Sequence, residues 1–473
     1  MEDLYMLPCS PQLLCEDRFS LLDSHEMQVP FWEFFNALMV EQVNSPRGVI
    51  DVLESIAISL RQKTETDYGS LRDFMMKKLK GDFYTRTWPA LVKLALQMPA
   101  LFPKHNLTIL SPRNPQVKLS RRQTACLVVH QFLCTLTAPT WQDGYQDFHI
   151  WYTSEQSHAG AVDAYLTALF TYFDRIIDDD DDYSPLATDP ASWPISYTLH
   201  TNQGPLPTTT HKLLPLEVLE LPVASTSPEV LGIPDGASVI SANKFVGFGR
   251  TGTQEETHVG ASPECCPAVL VTPPLEDNQA LVVVGPEAMI AIAGYGRDAR
   301  CAEVLRPSGG ASTHHRKWAK RTMLFIDALE LDVADRRGGL PDVLPGYVER
   351  ELRKTYTGFR SSHVAHEGGP REPFSVIYTG FWGCGTFGGN PDIKALIQWC
   401  AASLAGSPMK FICSTSEQHA FAAALRRFAE YASDIGIGAN ELQRILLDLT
   451  PGELEGLQHP MEHVRKLLRR YTR

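Results

Sequence analysis

From Phe31 to about Phe173 the apolar residues recur at helical spacing. Phe31, Phe34, Phe35, Leu38 and Met39 fall at i, i+3 and i+4. Val49 to Leu60 continues the pattern, and Trp88 to Met98 reads as another helix. Ser120 and Gln123 have the spacing of a capping box, in which each side chain satisfies a backbone N–H of the other. They precede the apolar run Ala125 to Leu136, which reads as a buried central helix. Val162, Tyr165, Leu166, Leu169, Phe170 and Phe173 form one more apolar face. Read this way, the first half is all-α and holds no catalytic pattern.

Five aspartates, Asp178 to Asp182, end that last helix and read as a solvated acidic loop. From Asp178 to Pro234 there are nine prolines and little periodicity, an irregular connection with room for a short strand at Ile195 to Leu199. Beyond Pro234 the texture changes to short, β-branched apolar runs. These are Ser238 to Val246, Ala268 to Thr272, Leu281 to Val284, Met323 to Asp327, Phe374 to Thr379 and Met409 to Cys413. Helical patterns at Tyr347 to Tyr356 and Asp392 to Leu404 lie between them, and Phe421 to Tyr431, Ala439 to Leu449 and His463 to Tyr471 follow. Alternating strands and helices imply an α/β fold, a parallel or mixed sheet covered by helices. The expected division is a helical domain over 1–177, an irregular proline-rich connection over 178–234 and an α/β domain with C-terminal helices over 235–473.

Composition narrows the picture only a little. At 473 residues the chain is long enough for two or three domains, and 44% hydrophobic with 21% charged residues is ordinary for a globular protein. No stretch approaches the ~18 apolar residues of a membrane span. The N-terminal segment carries neither a basic n-region nor an apolar h-region, so secretion is not expected. Ten cysteines without a CxxC pair read as free thiols in a reducing compartment. Cys265, Cys266 and His258 lack zinc-ligand spacing, and no metal or cofactor is expected. A net charge of −12 disfavours direct nucleic-acid binding. An anionic ligand must then be held by local donors such as oriented backbone amides.

Two glycine clusters carry the candidate chemistry. Gly247-Phe248-Gly249-Arg250-Thr251-Gly252 matches G-x-G-x-x-G, but the following TQEETHVGASPECCP has no apolar stripe and could not form a dinucleotide-fold helix. The second cluster runs from Gly380 to Gly389, after the expected strand ending at Thr379. Asn390 follows as an N-cap and Pro391 as the first helical residue. Strand, glycine loop and helix start form a context in which backbone amides cradle a diphosphate. The loop lacks the GK[ST] of a nucleoside-triphosphatase.

After the first cluster come Gln254, Glu255 and Glu256. Two adjacent glutamates are most often a solvated surface, and in a strand they would face opposite ways. In a loop or at a helix start both could meet one ligand. One would protonate a leaving oxygen while the other holds a ribose hydroxyl or steadies an oxocarbenium-like transition state. The acid role calls for a raised pKa, which burial beside a like charge supplies.

The stretch GFGRTGTQEE, read with YTGFWGCGTFGGNPDIKALIQ, resembles the two signature stretches of the poly(ADP-ribose) glycohydrolase family. SRRQTACLVVHQFLCTL and AYLTALFTYFDRI resemble its helical accessory region, so the likeness covers about Leu119 to Thr415. The resemblance implies a macrodomain-type three-layer α/β/α sandwich with a mixed sheet, preceded by an all-α region. It implies hydrolysis of ribose–ribose O-glycosidic bonds of poly(ADP-ribose), with ADP-ribose as product. Position by position it makes Glu256 the general acid/base and Glu255 the partner of the ribose hydroxyls. Asn243, Gly247, Phe248, Gly249, Thr253 and Gln254 become substrate-binding on the ribose side, and Tyr295 lines the adenosine side. Gly383, Cys384, Gly385, Thr386 and Phe387 become the diphosphate loop.

The chain departs from that pattern at Phe248, where the family has a glycine, and at Ile240, where it has an aspartate. Phe381 replaces an asparagine, and Ser414 stands near an expected adenine-stacking phenylalanine. Four residues separate Gly249 from Gln254, a compact loop that resembles fungal members. A ring at Phe248 is expected either to shape the ribose site or to narrow it. Two other readings stay open: a non-catalytic ADP-ribose reader, and a hydrolase of mono-ADP-ribosyl–protein bonds. The expected partners are poly(ADP-ribose) and ADP-ribosylated proteins, with no membrane. The expected form is a monomer in the nucleus or cytoplasm, in the DNA damage response.

Overall fold

In the computed structural model, residues 3–471 are described except 23–27, 64–65, 80–81, 143–145, 178–193, 209–210, 222–225, 228–229, 234, 308–310, 335–338 and 363–371. The aspartate run at 178–182 lies outside the described residues. An eight-stranded sheet organises the molecule. Its strands, numbered with those of the smaller sheets in chain order, are β5 (Gln116–Leu119), β6 (Ile195–Thr201), β7 (Leu216–Glu220), β8 (Ala237–Ala242), β9 (Gln279–Val284), β12 (Thr322–Asp327), β13 (Ile377–Thr379) and β14 (Met409–Cys413). The spatial order is β5-β6-β9-β12-β8-β13-β14-β7. Five neighbours, β12, β8, β13, β14 and β7, run parallel, while β9, β6 and β5 are joined by antiparallel pairs. Three two-stranded ribbons complete the strands: β1 (Leu4–Met6) with β4 (Asn106–Thr108), β2 (Leu14–Glu16) with β3 (Gln28–Pro30), and β10 (Ile290–Ala293) with β11 (Arg300–Val304).

The central strands are apolar on both faces because helices cover both. Alternate residues divide cleanly. Ile240, Leu281, Val283, Met323 and Phe325 join one core, with helices α1 (Phe31–Leu38), α2 (Pro46–Arg61), α3 (Gly69–Lys78), α4 (Trp88–Ala95), α5 (Met98–Leu101), α6 (Arg121–Phe132) and α7 (Ala159–Ile177). Val239, Ala280, Val282, Leu324 and Ile326 join the other. The order along the chain continues with α8 (Gln254–Gly260), α9 (Ala268–Val271), α10 (Ala311–Ala319), α11 (Tyr347–Phe359), α12 (Pro391–Leu404), α13 (His419–Asp434), α14 (Ala439–Asp448), α15 (Pro451–Leu454) and α16 (Pro460–Tyr471). Of these, α11, α12, α13, α14 and α16 supply that second layer. The α/β reading therefore holds as a three-layer arrangement.

Local chemistry sets the helix starts. Ser120 and Gln123 make both bonds of their capping box, and Asn390 accepts from the N–H groups of Asp392 and Ile393 with Pro391 at the first position. Three expectations change. The N-terminal half is not helical throughout: it supplies β1 to β4, and its β5 enters the main sheet. The segment expected as a connection holds the strand expected at Ile195 to Leu199, as β6, and supplies a second sheet strand, β7, that was not expected. Residues 268–272, expected as a strand, open with the helical turn α9, because a short, wholly buried apolar run carries no period to choose by.

The first core is continuous from Tyr5 to Phe325, so residues on both sides of position 177 belong to it. Buried ion pairs join its layers: Arg121 with Glu264, and Arg175 with Glu287, which also meets His314 at 2.8 Å. Glu264 also accepts the N–H of Glu287 at 3.0 Å. Removing one partner of such a pair typically costs about 3–5 kcal/mol, since the other charge stays buried.

Candidate active site

β8 and β13 are parallel neighbours, and each is followed at its C-terminal end by one of the glycine loops. In α/β sheets, loops leaving adjacent strand ends open a crevice there. Here the crevice is a cleft of about 1050 Å³ lined by both loops. The β8–β13 ladder stops at Ser238. Beyond it the Gln254 side chain takes over the missing strand's role: its Nε2 donates to Val239 O at 2.9 Å, and its Oε1 accepts from Ser241 N–H at 2.6 Å. The gap in the sheet is thus closed by one amide.

The first loop does open a helix, although a short one. Gln254 to Gly260 form α8, with Thr253 as N-cap and Glu256 at the third position in a complete capping box. The helix start separates the two glutamates. Glu255 is buried and points back into the loop, where its two oxygens accept the N–H groups of Asn243 and Gly247, each at 2.9 Å. Burial pushes its carboxyl up to about 8, the two amide bonds pull the other way, and the neighbouring Glu256 adds to the rise. Its observed work is to fold the loop.

Glu256 is half-buried and lines the cleft. Its Oε2 accepts from Thr253 N–H at 3.2 Å, from Thr253 Oγ1 at 3.0 Å and from Thr251 Oγ1. Its Oε1 takes no donor among the described residues and lies against Gly249, where an added Cβ would fall 1.8 Å from it. One oxygen is fixed and the other is open to chemistry. Only glycine fits beside it.

The helical layer holds this loop from behind. Trp151 Nε1 donates to Gly249 O at 2.6 Å, and Tyr165 Oη donates to Thr251 O. Phe248 packs its buried ring edge-on against Phe148 at 5.2 Å and Trp151 at 5.5 Å. Its bulk is absorbed by the aromatic core of that layer. Asn243 Oδ1 accepts from Phe245 N–H at 3.0 Å, which leaves its amide nitrogen without an acceptor among the described residues.

The second loop is held mostly by its own backbone. Trp382 N–H donates to Gly380 O, Cys384 N–H to Phe381 O, Gly388 N–H to Gly385 O, and Gly389 N–H to Gly383 O, at 2.8–3.0 Å. Gly383 has φ +71°, in the left-handed region, and a Cβ there would meet Ala328 Cβ at 2.6 Å. Its N–H donates to Ser241 Oγ at 3.2 Å, the link between the loops. The N–H groups of Gly385, Thr386 and Phe387, which line the cleft in succession, have no acceptor among the described residues. Beneath the loop, Trp382 is buried and donates to Ile326 O at 2.8 Å. The buried Lys394 lies 4.9 Å from the Trp382 ring centre and 2.9 Å from Glu351. Burial pushes the Cys384 thiol up, so it stays protonated.

Tyr295 is exposed and joins the two sides: a Cβ on Gly385 would fall 2.4 Å from its hydroxyl. All fourteen expected site residues therefore converge on one cleft except that Glu255 and Gln254 spend their polar atoms on backbone. Of the substituted positions, Ile240 is buried in the core shared with the helical layer. Phe381 packs on Phe411 at 5.3 Å and Phe421 at 5.0 Å, and Ser414 lines the cleft. Thr251, Ser241, Trp151 and Tyr165 were not foreseen. Only the Thr253-x-x-Glu256 spacing, itself a capping box, signalled part of this arrangement.

Residues 222–421 match the family model described as poly(ADP-ribose) glycohydrolase, macro domain fold, and residues 75–187 match that family's helical domain. The chain is 26% identical over 310 residues to "Poly(ADP-ribose) glycohydrolase 1" of Caenorhabditis elegans, covering 63% of this chain and 36% of that protein. It is 23% identical over 388 residues to "Probable poly(ADP-ribose) glycohydrolase 2" of Arabidopsis thaliana, covering 69% of this chain and 71% of that one. A second nematode relative, "Poly(ADP-ribose) glycohydrolase 2", is 29% identical over 179 residues, 36% of this chain and 35% of its own length. The chain thus spans about a third of the length of the two nematode relatives.

Proposed function

The chain belongs to the poly(ADP-ribose) glycohydrolase family, and we propose that it hydrolyses the ribose–ribose O-glycosidic bonds of poly(ADP-ribose) and releases ADP-ribose, with Glu256 as general acid/base. One observation carries this reading: a carboxylate with one oxygen fixed and one open stands in the same cleft as three successive amides that have no acceptor among the described residues. The diphosphate of the terminal unit binds the amides of Gly385, Thr386 and Phe387. That places the attached ribose toward Glu256. The open Oε1 protonates the departing oxygen as the glycosidic bond breaks and then takes a proton from the water that attacks the anomeric carbon. Thr251 and Thr253 keep the carboxylate in place through both steps. Glu255, by folding residues 243–247, sets the wall against which the ribose lies.

The test is product release from polymer of defined length beside release from mono-ADP-ribosylated protein. Free ADP-ribose from polymer is the expected result. Release only from the mono-modified protein would transfer the same chemistry to a different bond. Tight ADP-ribose binding with no release from either would make the chain a reader.

A further inference from the structure

Two exposed arginines on the lip of the cleft take no part in the scheme above. Arg250 lies in the first loop between Gly249 and Thr251, the two residues that flank the Glu256 carboxylate. Arg300 lies at the start of β11. Their turns are packed together: Gly296 N–H donates to Gly252 O at 2.8 Å, and a Cβ on Gly252 would fall 2.2 Å from Gly296 O and 2.7 Å from Ala299 Cβ. Both arginines line the cleft. Arg300 donates to Asp298 O at 3.0 Å, and neither arginine forms an ion pair among the described residues. In a chain of net charge −12, two unpaired guanidinium groups at one mouth of an anion-binding cleft call for an explanation.

The chemistry of the polymer supplies one. The bond broken joins the ribose of one unit to a ribose hydroxyl of the next, and that second ribose carries its own diphosphate a few bonds away. With the first diphosphate on residues 385–387, the second follows the bond that Glu256 protonates, and Arg250 stands between the two residues that flank that carboxylate. We propose that Arg250 and Arg300 bind the diphosphate of the leaving unit and form a second anion subsite that ADP-ribose alone does not reach. This rests on the proposed reading of the cleft. Guanidinium groups suit the role because their fork of donors matches paired phosphate oxygens.

Calorimetry tests it with the full chain in a Glu256→Gln background, so that substrate is not consumed. The probes are ADP-ribose and an oligomer of two ADP-ribosyl units. We expect the oligomer to bind about tenfold tighter than ADP-ribose, and that advantage to fall to within about twofold in Arg250→Gln/Arg300→Gln. ADP-ribose affinity and the thermal midpoint should not change. The salt dependence of oligomer binding should weaken, because phosphate contacts release counterions. Three results would overturn the subsite: no advantage for the oligomer before substitution, an equal loss for ADP-ribose at an unchanged thermal midpoint, or equal binding of a DNA oligonucleotide of the same charge. Failure of the unsubstituted chain to release ADP-ribose from polymer would instead overturn the hydrolase reading, and the binding comparison would stand.

Discussion

The two glycine loops leave neighbouring strands of one sheet yet are held in opposite ways. The first is pinned by side chains from elsewhere: Trp151 and Tyr165 from the helical layer, Gln254 against β8, and Glu255 from within α8. It presents a single carboxylate. The second closes on its own backbone, stands on Trp382 and Lys394, and presents amides. A loop that positions one side chain to a fraction of an ångström needs outside bracing, whereas a loop that offers backbone donors needs only its own turns. That difference explains why the helical layer and the sheet share a core: the layer is the brace of the first loop.

Substitutions can break this contrast. Gly249→Ala sets a methyl 1.8 Å from Glu256 Oε1 and must displace the open oxygen. Turnover of polymer should fall by about 10²–10³-fold with ADP-ribose affinity kept, measured by initial rates and calorimetry. Trp151→Phe removes the bond to Gly249 O and leaves that carbonyl unpaired, at about 1–3 kcal/mol. It should lower kcat about tenfold while KM stays within twofold. Glu255 gives a pH signature. Its carboxyl rises on folding to about 8, so its contribution to stability is complete at low pH and is lost as pH climbs from the ordinary glutamate range through 8. The thermal midpoint should fall across that window, and the part due to this group should be missing in Glu255→Gln. Gly385→Ala meets only the far end of the exposed Tyr295 side chain, which can swing away. A two- to fivefold loss of ADP-ribose affinity, by about 0.4–1 kcal/mol, with kcat unchanged is expected there.

Much of this was legible in the sequence, and the gaps have physical causes. The second loop was read almost whole, since strand, glycines, Asn390 and Pro391 are contiguous and each acts locally. The helical starts at Ser120 and Asn390 were legible for the same reason. The first loop was only half legible. Glu256 stood out, but Trp151 and Tyr165 act on it from 98 and 86 residues away, and nothing local to either announces a loop partner. The roles of Gln254 and Glu255 were assigned to sugar hydroxyls because their backbone partners are a matter of three-dimensional packing. Phe248 looked obstructive because its ring's destination, Phe148 and Trp151, lies in a different layer. Strands β5 and β7 escaped notice because they are short and set among prolines and polar residues, whereas β6 was read at Ile195 to Leu199.

The division of labour between the loops is tested most directly by Glu256→Gln, with ADP-ribose release from polymer and ADP-ribose affinity measured on the same preparation. The side chain keeps its size and its bonds from Thr251 and Thr253 but can no longer carry a transferable proton. Release should fall by about 10³-fold or more, with affinity within twofold of the unsubstituted chain. Release at the original rate would contradict that division of labour.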